Sequence, residues 1–291
     1  MIRRLSLAAA VLTLAACAPQ PDAAPKVGGV AVQPPTATED AVLAAVVNGP
    51  TRTAEMKTRD QYRRPVEALT FWGLRPGMTV LEVGPGGGWW TEILAPYAQQ
   101  TGGRYIATGP DLDNPAMTDA GRKARADFAA KYSDAARYGR VDVWNFGPAS
   151  KPFPEPGSVD MIMVARSFHN WARQEGLTDK AMRDFAAALK PGGVLAVEQH
   201  RSPEGVMKPE TGYVPESYVI QAAERAGLKL DARSELNANP KDDRDHPFGV
   251  WTLQPVRTST ADGRTLTAAE RAEFDAIGES DRMTLRFVKP A

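Results

Sequence analysis

From Ala41 onward the chain alternates short apolar runs with longer amphipathic stretches. Val42, Leu43, Val46 and Val47 recur at helical spacing and stop at Asn48-Gly49-Pro50, which predicts a helix from Ala41 to that turn. A second helix is predicted over Asp60 to Leu69, a third from Trp89 through Tyr97, and others over Ala116 to Tyr132 and Lys180 to Leu189. The last carries Phe185 and Leu189 at i and i+4 and is stopped by Lys190-Pro191-Gly192-Gly193. Between these lie shorter runs that read as strands: Met78 to Val83, Arg104 to Thr108, Arg140 to Phe146, Met161 to Val164 and Val194 to Glu198. Strands separated by helices at this spacing predict an α/β fold, a doubly wound and mostly parallel sheet with helices on both faces.

The first forty residues do not share this pattern. Arg3 and Arg4 precede an apolar run from Leu5 to Ala16, too short to span a bilayer as a helix but suited to the h-region of a secretory signal. The run ends in Leu14-Ala15-Ala16-Cys17, which resembles the bacterial lipobox. That resemblance implies cleavage before Cys17 and lipidation of it, and Ala18 in place of an aspartate implies export to the outer membrane. Cys17 is also the only cysteine, so no internal disulfide is possible. Residues 18–40, rich in Pro, Ala, Gly and Thr, read as a flexible tether. The expected organisation is a signal peptide over 1–17, the tether over 18–40, and one domain over 41–291 whose first part, 41–75, is a helical cover. The expected location is the cell envelope, lipid-anchored through Cys17 and facing the periplasm of a Gram-negative bacterium.

Composition narrows the partners. The 291 residues are 43% hydrophobic and 24% charged, as in ordinary globular proteins, and Lys+Arg equals Asp+Glu at 35 each. Nothing in that balance indicates nucleic acid. No HxxxH or CxxC spacing indicates a metal, and no GxSxG indicates a serine hydrolase. A small-molecule partner is expected; the oligomeric state stays open.

The richest stretch is Val80-Leu81-Glu82-Val83-Gly84-Pro85-Gly86-Gly87-Gly88-Trp89-Trp90-Thr91. A strand that turns through glycines into a helix lets backbone approach a ligand and presents free N–H groups. A dinucleotide fingerprint would need a small residue where Trp89 stands, so NAD is disfavoured. The stretch instead resembles the E-x-G-x-G-x-G motif of class I S-adenosylmethionine (SAM) dependent methyltransferases. Phe153-Pro154-Glu155-Pro156-Gly157-Ser158-Val159-Asp160 and Leu189-Lys190-Pro191-Gly192-Gly193 resemble later signatures of the same family, and Met283 to Lys289 suits its last, antiparallel strand. More narrowly, Pro85 to Tyr97, His169-Asn170-Trp171 and His200-Arg201 resemble a group of predicted bacterial methyltransferases. The resemblance implies a seven-stranded Rossmann-like methyltransferase fold, SAM as cofactor, and methyl transfer to a small molecule. It assigns Glu82 to ordering the methionine part of SAM, and Gly84, Pro85, Gly86 and Gly88 to backing it.

Two positions depart from the family. The acid that grips the ribose falls at Gly109, and the one that meets the adenine falls near Gly147. Asp111 and Asp113 lie just beyond the first gap and are the candidates to reach back. Asp60, Tyr62, Arg63 and Arg64 are candidate lid residues, with a solvated helix face as the plainer reading. His169 and His200 fall after the fourth and fifth strands, where a neutral imidazole can take a proton near pH 7. With Asn170 they are the candidate catalytic residues; Arg166 and Arg201 are candidates to orient or neutralise the substrate. The two missing acids, and an exported domain's distance from cytosolic SAM, support an alternative: a non-catalytic ligand-binding module on this fold.

Overall fold

The computed structural model describes residues 40–291. The signal segment 1–17, Cys17 and the tether up to residue 39 lie outside the described residues. The strands are β1 (Thr79–Val83), β2 (Arg104–Pro110), β3 (Val141–Phe146), β4 (Val159–Ala165), β5 (Leu189–Ser202), β6 (Val214–Pro215), β7 (Lys229–Ser234), β8 (Thr260–Ala261), β9 (Arg264–Thr265) and β10 (Arg282–Val288). Seven of them form a path ordered β3-β2-β1-β4-β5-β10-β7, with β6 paired to β5. β10 runs antiparallel to both neighbours; the other pairs along the path are parallel. The predicted doubly wound, seven-stranded α/β sheet is therefore the observed one, with the two-residue β6 added.

Alternation along each strand divides the core. Leu81 and Val83 of β1, Ile162 and Val164 of β4, and Leu195 and Val197 of β5 join one apolar cluster with helices α8 (Phe168–Ala172), α9 (Leu177–Ala188) and α10 (Glu216–Arg225). Val80, Met161, Met163, Val194 and Ala196 face the other way, against α1 (Ala41–Asn48), α4 (Pro65–Trp72) and α5 (Thr91–Thr101). By the same parity Glu82 and Glu198 fall on this second face, near the carboxyl ends of their strands. The remaining helices are α2 (Ala54–Thr58), α3 (Asp60–Arg63), α6 (Asp119–Lys131), α7 (Ala135–Tyr138) and α11 (Ala268–Ile277).

Three of the differences from the expected boundaries have an evident local cause. The helix predicted over Asp60 to Leu69 is two helices, because Pro65 opens α4 and Arg64 before it turns at φ 41°. The first helix is capped one residue before its expected start: Asp40 accepts from the Val42 and Leu43 amides, and also accepts from the Tyr97 hydroxyl. The Lys190-Pro191-Gly192-Gly193 stop lies inside β5, whose pairing with β4 shifts register at that point.

Candidate active site

The sheet order reverses between β1 and β4. β2 and β3 build outward from one side of β1, and β5, β10 and β7 from the far side of β4. In open α/β sheets ligands bind outside the carboxyl ends of the strands at such a switch point. Gly84 follows β1 there and Arg166-Ser167 follows β4. Gly84 and Gly86 both hold positive φ, 65° and 55°, and border two cavities of about 580 and 340 Å³ that meet over Gly84-Pro85-Gly86. A Cβ on Gly86 would meet no atom closer than 4.0 Å, so the space beside it is open groove. Gly88, expected to back the cofactor, has another task. Its Cβ would lie 1.8 Å from the Tyr132 hydroxyl and it borders neither cavity, so the glycine is required by helix packing.

The larger cavity is bounded by Glu82, Trp89, Arg166, Ser167 and Asn170, and by Met56, Arg59 and Arg63 from the α2–α3 segment. Glu82 is buried and accepts hydrogen bonds from Tyr105 Oη (2.6 Å) and Thr91 Oγ1 (2.8 Å). Burial outweighs those bonds and the pull of Arg166 and Arg63, and raises its carboxyl to about 7. Trp89 ties the helical segment down: its Nε1 donates to Met56 O, and the Arg52 and Arg63 guanidiniums lie 4.7 and 4.5 Å from its ring centre. Arg166 holds φ 58°, unusual outside glycine, which turns its side chain out of β4 toward Glu198.

The smaller cavity is where an adenosine moiety would lie, and it explains one missing acid. Arg125 of α6 crosses Gly109, donating to Pro110 O, Asn145 Oδ1 and Val143 O. A Cβ at Gly109 would meet Arg125 Cδ at 2.8 Å and Val143 Cγ1 at 3.1 Å, so a side chain there would displace Arg125. The proposed substitutes do not reach this groove. Asp111 is buried beside Gly147, its Oδ1 accepting from the Asp113 amide, and Asp113 accepts from Asn145 Nδ2 on the surface; neither borders either cavity. The turn and the methionine end fit SAM; the ribose end lacks its carboxylate.

A third cavity, of about 330 Å³, continues from the larger one past Arg59, Arg63, Arg166 and Asn170. It brings His169 and His200 together, ring centres 5.7 Å apart, with Trp251 beside His169. Neither histidine titrates near neutrality. Burial lowers His169 to about 4, and burial with the nearby Arg282 charge holds His200 well below its ordinary value. His200 Nδ1 shares a hydrogen bond with Ser280 Oγ, and His169 Nδ1 lies 3.4 Å from Gln199 Nε2. Both are therefore neutral, weakly basic groups, and the expectation of proton uptake near pH 7 is corrected. Arg201, expected near the substrate, instead pairs with Asp281 and Glu235.

Beneath this cavity runs an ion network the sequence did not announce. Glu198 accepts from Arg166 (2.9 Å) and Arg282 (2.7 Å); Glu279 accepts from Arg59 (2.6 Å) and Arg282. Arg63 Nε lies 3.5 Å from Glu279 without a hydrogen bond to it. Arg59 stands in the run Arg59-Asp60-Gln61-Tyr62-Arg63-Arg64, whose basic density was a usable signal; Glu198 and Arg282 are 84 positions apart, beyond any local pattern. Of the other lid candidates, Asp60 pairs with Arg52 and Tyr62 packs on Gly278. Among the described residues one group, Asp242, Asp243 and His246, has metal-ligand spacing. Asp242 is already used there, accepting from Tyr213 Oη, His246 Nε2 and the Arg244 and Asp281 amides.

Comparison with known proteins places this geometry. A methyltransferase-domain family model matches residues 55–241. The ubiquinone/menaquinone biosynthesis C-methyltransferase of Shewanella sediminis is 30% identical over 134 residues, 45% of this chain and 46% of that protein. That of Vibrio vulnificus is 29% identical over 131 residues, covering 45% and 44%. This chain thus aligns with about half the length of these curated relatives. Among solved structures, the [4+2]-cyclase SpnF superposes with TM-score 0.53 at 17% identity, covering 86% of this chain and 92% of that one. The geranyl diphosphate C-methyltransferase of Streptomyces coelicolor, solved with Mg2+, geranyl diphosphate and S-adenosyl-L-homocysteine, gives TM-score 0.50 at 16% identity, covering 84% and 87%.

Proposed function

Because this chain belongs to the methyltransferase-domain family, for which SAM is the expected cofactor, we propose that it transfers a methyl group from SAM to a small-molecule acceptor. The observation that carries the reading is the continuity of the three cavities over the glycine turn and past Asn170. The smaller one takes the adenosine, the larger the methionine end, and the third the acceptor. Bound SAM supplies a methyl group on a sulfonium, ready for in-line displacement, so the protein has mainly to hold and align. Gly84, Pro85 and Gly86 let the backbone approach, and Glu82 orders the methionine end. Asn170 and the neutral His169 face the acceptor and offer hydrogen bonds that fix its reacting atom. Calorimetric titration of the purified protein with SAM and S-adenosylhomocysteine tests this: micromolar binding is expected, and none up to millimolar ligand by folded protein would overturn it. Arg125 across Gly109 is the one observation favouring the alternative, a binding module that has given up the cofactor. The same titration separates the two.

We also propose that Cys17 is lipidated and anchors the domain in the cell envelope; the h-region ending in Leu14-Ala15-Ala16-Cys17 supports it. Radiolabelled palmitate should enter the wild-type protein in a bacterial host and not Cys17→Ser; equal labelling of both would remove the anchor.

A further inference from the structure

The third cavity carries more positive charge than its neighbours neutralise. Arg59, Arg63, Arg166 and Arg282 border it, and among the described residues only Glu198 and Glu279 pair with them. Four guanidiniums against two carboxylates leave an excess of two positive charges. Glu82, the next carboxyl along the groove, titrates at about 7 and offsets one of them at most.

The excess is concentrated at Arg63. Its side chain is 2% exposed, its Nε and Nη1 are buried without a hydrogen-bond partner among the described residues, and Glu279, the carboxylate it pairs with, is already bonded to Arg59 and Arg282. Burial and the Arg166 charge both push the Arg63 guanidinium below its ordinary range. A buried cation left with unbonded donors is costly unless a ligand supplies acceptors. SAM does not supply the missing charge. Its carboxylate is matched by its own ammonium, and its sulfonium adds a further positive charge, so loading the cofactor raises the excess. One arginine can hold the methionine carboxylate and the imbalance remains.

We propose that the methyl acceptor is a small molecule bearing a carboxylate or phosphate, whose oxyanion is held in the third cavity by Arg59, Arg63 and Arg166. This rests on the methyltransferase reading above. The rest of the acceptor meets Val250, Trp251 and Pro255, which also border this cavity of about 330 Å³. Guanidiniums suit planar or tetrahedral oxyanions because their fork presents parallel N–H donors.

The test is calorimetric titration of the purified full chain with malonate, inorganic phosphate and, as neutral control, acetamide, each with and without saturating S-adenosylhomocysteine. At least one of the two anions is expected to bind the S-adenosylhomocysteine-loaded protein while acetamide does not; the tighter of the two names the oxyanion. Arg59→Gln should weaken that anion tenfold or more. Arg59→Lys, which keeps the charge if the glutamine variant fails to fold, should retain most of the binding. Absence of anion binding, one-for-one competition between anion and S-adenosylhomocysteine, or unchanged anion affinity in folded Arg59→Gln would each overturn the assignment. Anion binding that needs Arg59, by a protein that does not bind S-adenosylhomocysteine, would keep the oxyanion site and overturn the methyltransferase reading instead.

Discussion

Glu82 and His169 pull the pH dependence of stability in opposite directions. Glu82 is an acid whose folded value, about 7, lies above its ordinary 4.5, so the folded state holds the proton more tightly than the unfolded chain. Its contribution is full below pH 4.5 and is lost as pH rises through 7. His169 is a base whose folded value, about 4, lies below its ordinary 6.5, so its contribution is present above pH 6.5 and lost as pH falls through 4. Between roughly pH 4.5 and 6.5 the two slopes oppose, and the wild-type profile is flatter than either group alone would make it. Glu82→Gln removes one slope. Relative to wild type, the variant should gain on the order of 3 kcal/mol between pH 4.5 and 7.5, the shift of Glu82 converted at about 1.4 kcal/mol per unit. Urea unfolding of both proteins at several pH values measures it, and a constant difference would show that the Glu82 carboxyl titrates normally.

At the scale of elements, the β1–α5 turn combines two kinds of glycine that sequence spacing alone treats as equivalent. Gly86 faces open groove and Gly88 faces Tyr132. Gly88→Ala forces a Cβ into the Tyr132 hydroxyl at φ 84°, and should cost on the order of 3 kcal/mol in chemical denaturation from backbone strain and overpacking together. Gly86→Leu carries only the strain of its φ 55°, about 1–3 kcal/mol, but fills the groove, so it should abolish S-adenosylhomocysteine binding in a protein that still unfolds cooperatively. The reverse pattern would exchange their roles. The turn itself was legible because glycine, strand pattern and helix follow in one short window. So were β1 to β5 and the antiparallel β10, each a local apolar run. What stayed hidden was whatever depends on a partner distant in the chain: Tyr132 against Gly88, Arg125 over Gly109, Glu198 with Arg282. Charged residues show no periodicity that reveals their partners. Both histidines border the third cavity, and their lowered basicity was not legible in the sequence because desolvation is a property of the packed cavity.

For the molecule as a whole, the fold does not choose the reaction: one structural neighbour is a [4+2]-cyclase and another a C-methyltransferase. In this chain the two halves of the sheet furnish the groove differently. The β4–β5–β10 half carries Arg166, Glu198 and Arg282, which Arg59 and Arg63 of the α2–α3 segment join at the third cavity, while the β1–β2–β3 half carries Arg125 over Gly109, bonded to Pro110, Val143 and Asn145 of β2 and β3. If Arg125 stands where a ribose-binding carboxylate would be, its structural role and cofactor recognition can be separated. Gly109→Asp alone should destabilise the domain, since the new Cβ meets Arg125 Cδ at 2.8 Å, and should not tighten S-adenosylhomocysteine binding. Arg125→Ala frees that space at the cost of three hydrogen bonds to the ends of β2 and β3, on the order of 2–3 kcal/mol. Combined with Gly109→Asp, it places a carboxylate at the end of β2 with room to accept from both ribose hydroxyls. A charged acceptor is worth about 1.5–3 kcal/mol, so the double variant should bind S-adenosylhomocysteine at least tenfold more tightly than wild type while unfolding at lower denaturant. Calorimetry and urea unfolding on the four proteins of the cycle give the coupling directly. Additive effects on affinity would mean that Arg125 does not occupy the ribose carboxylate's place, and that the adenosine end of the groove lies elsewhere.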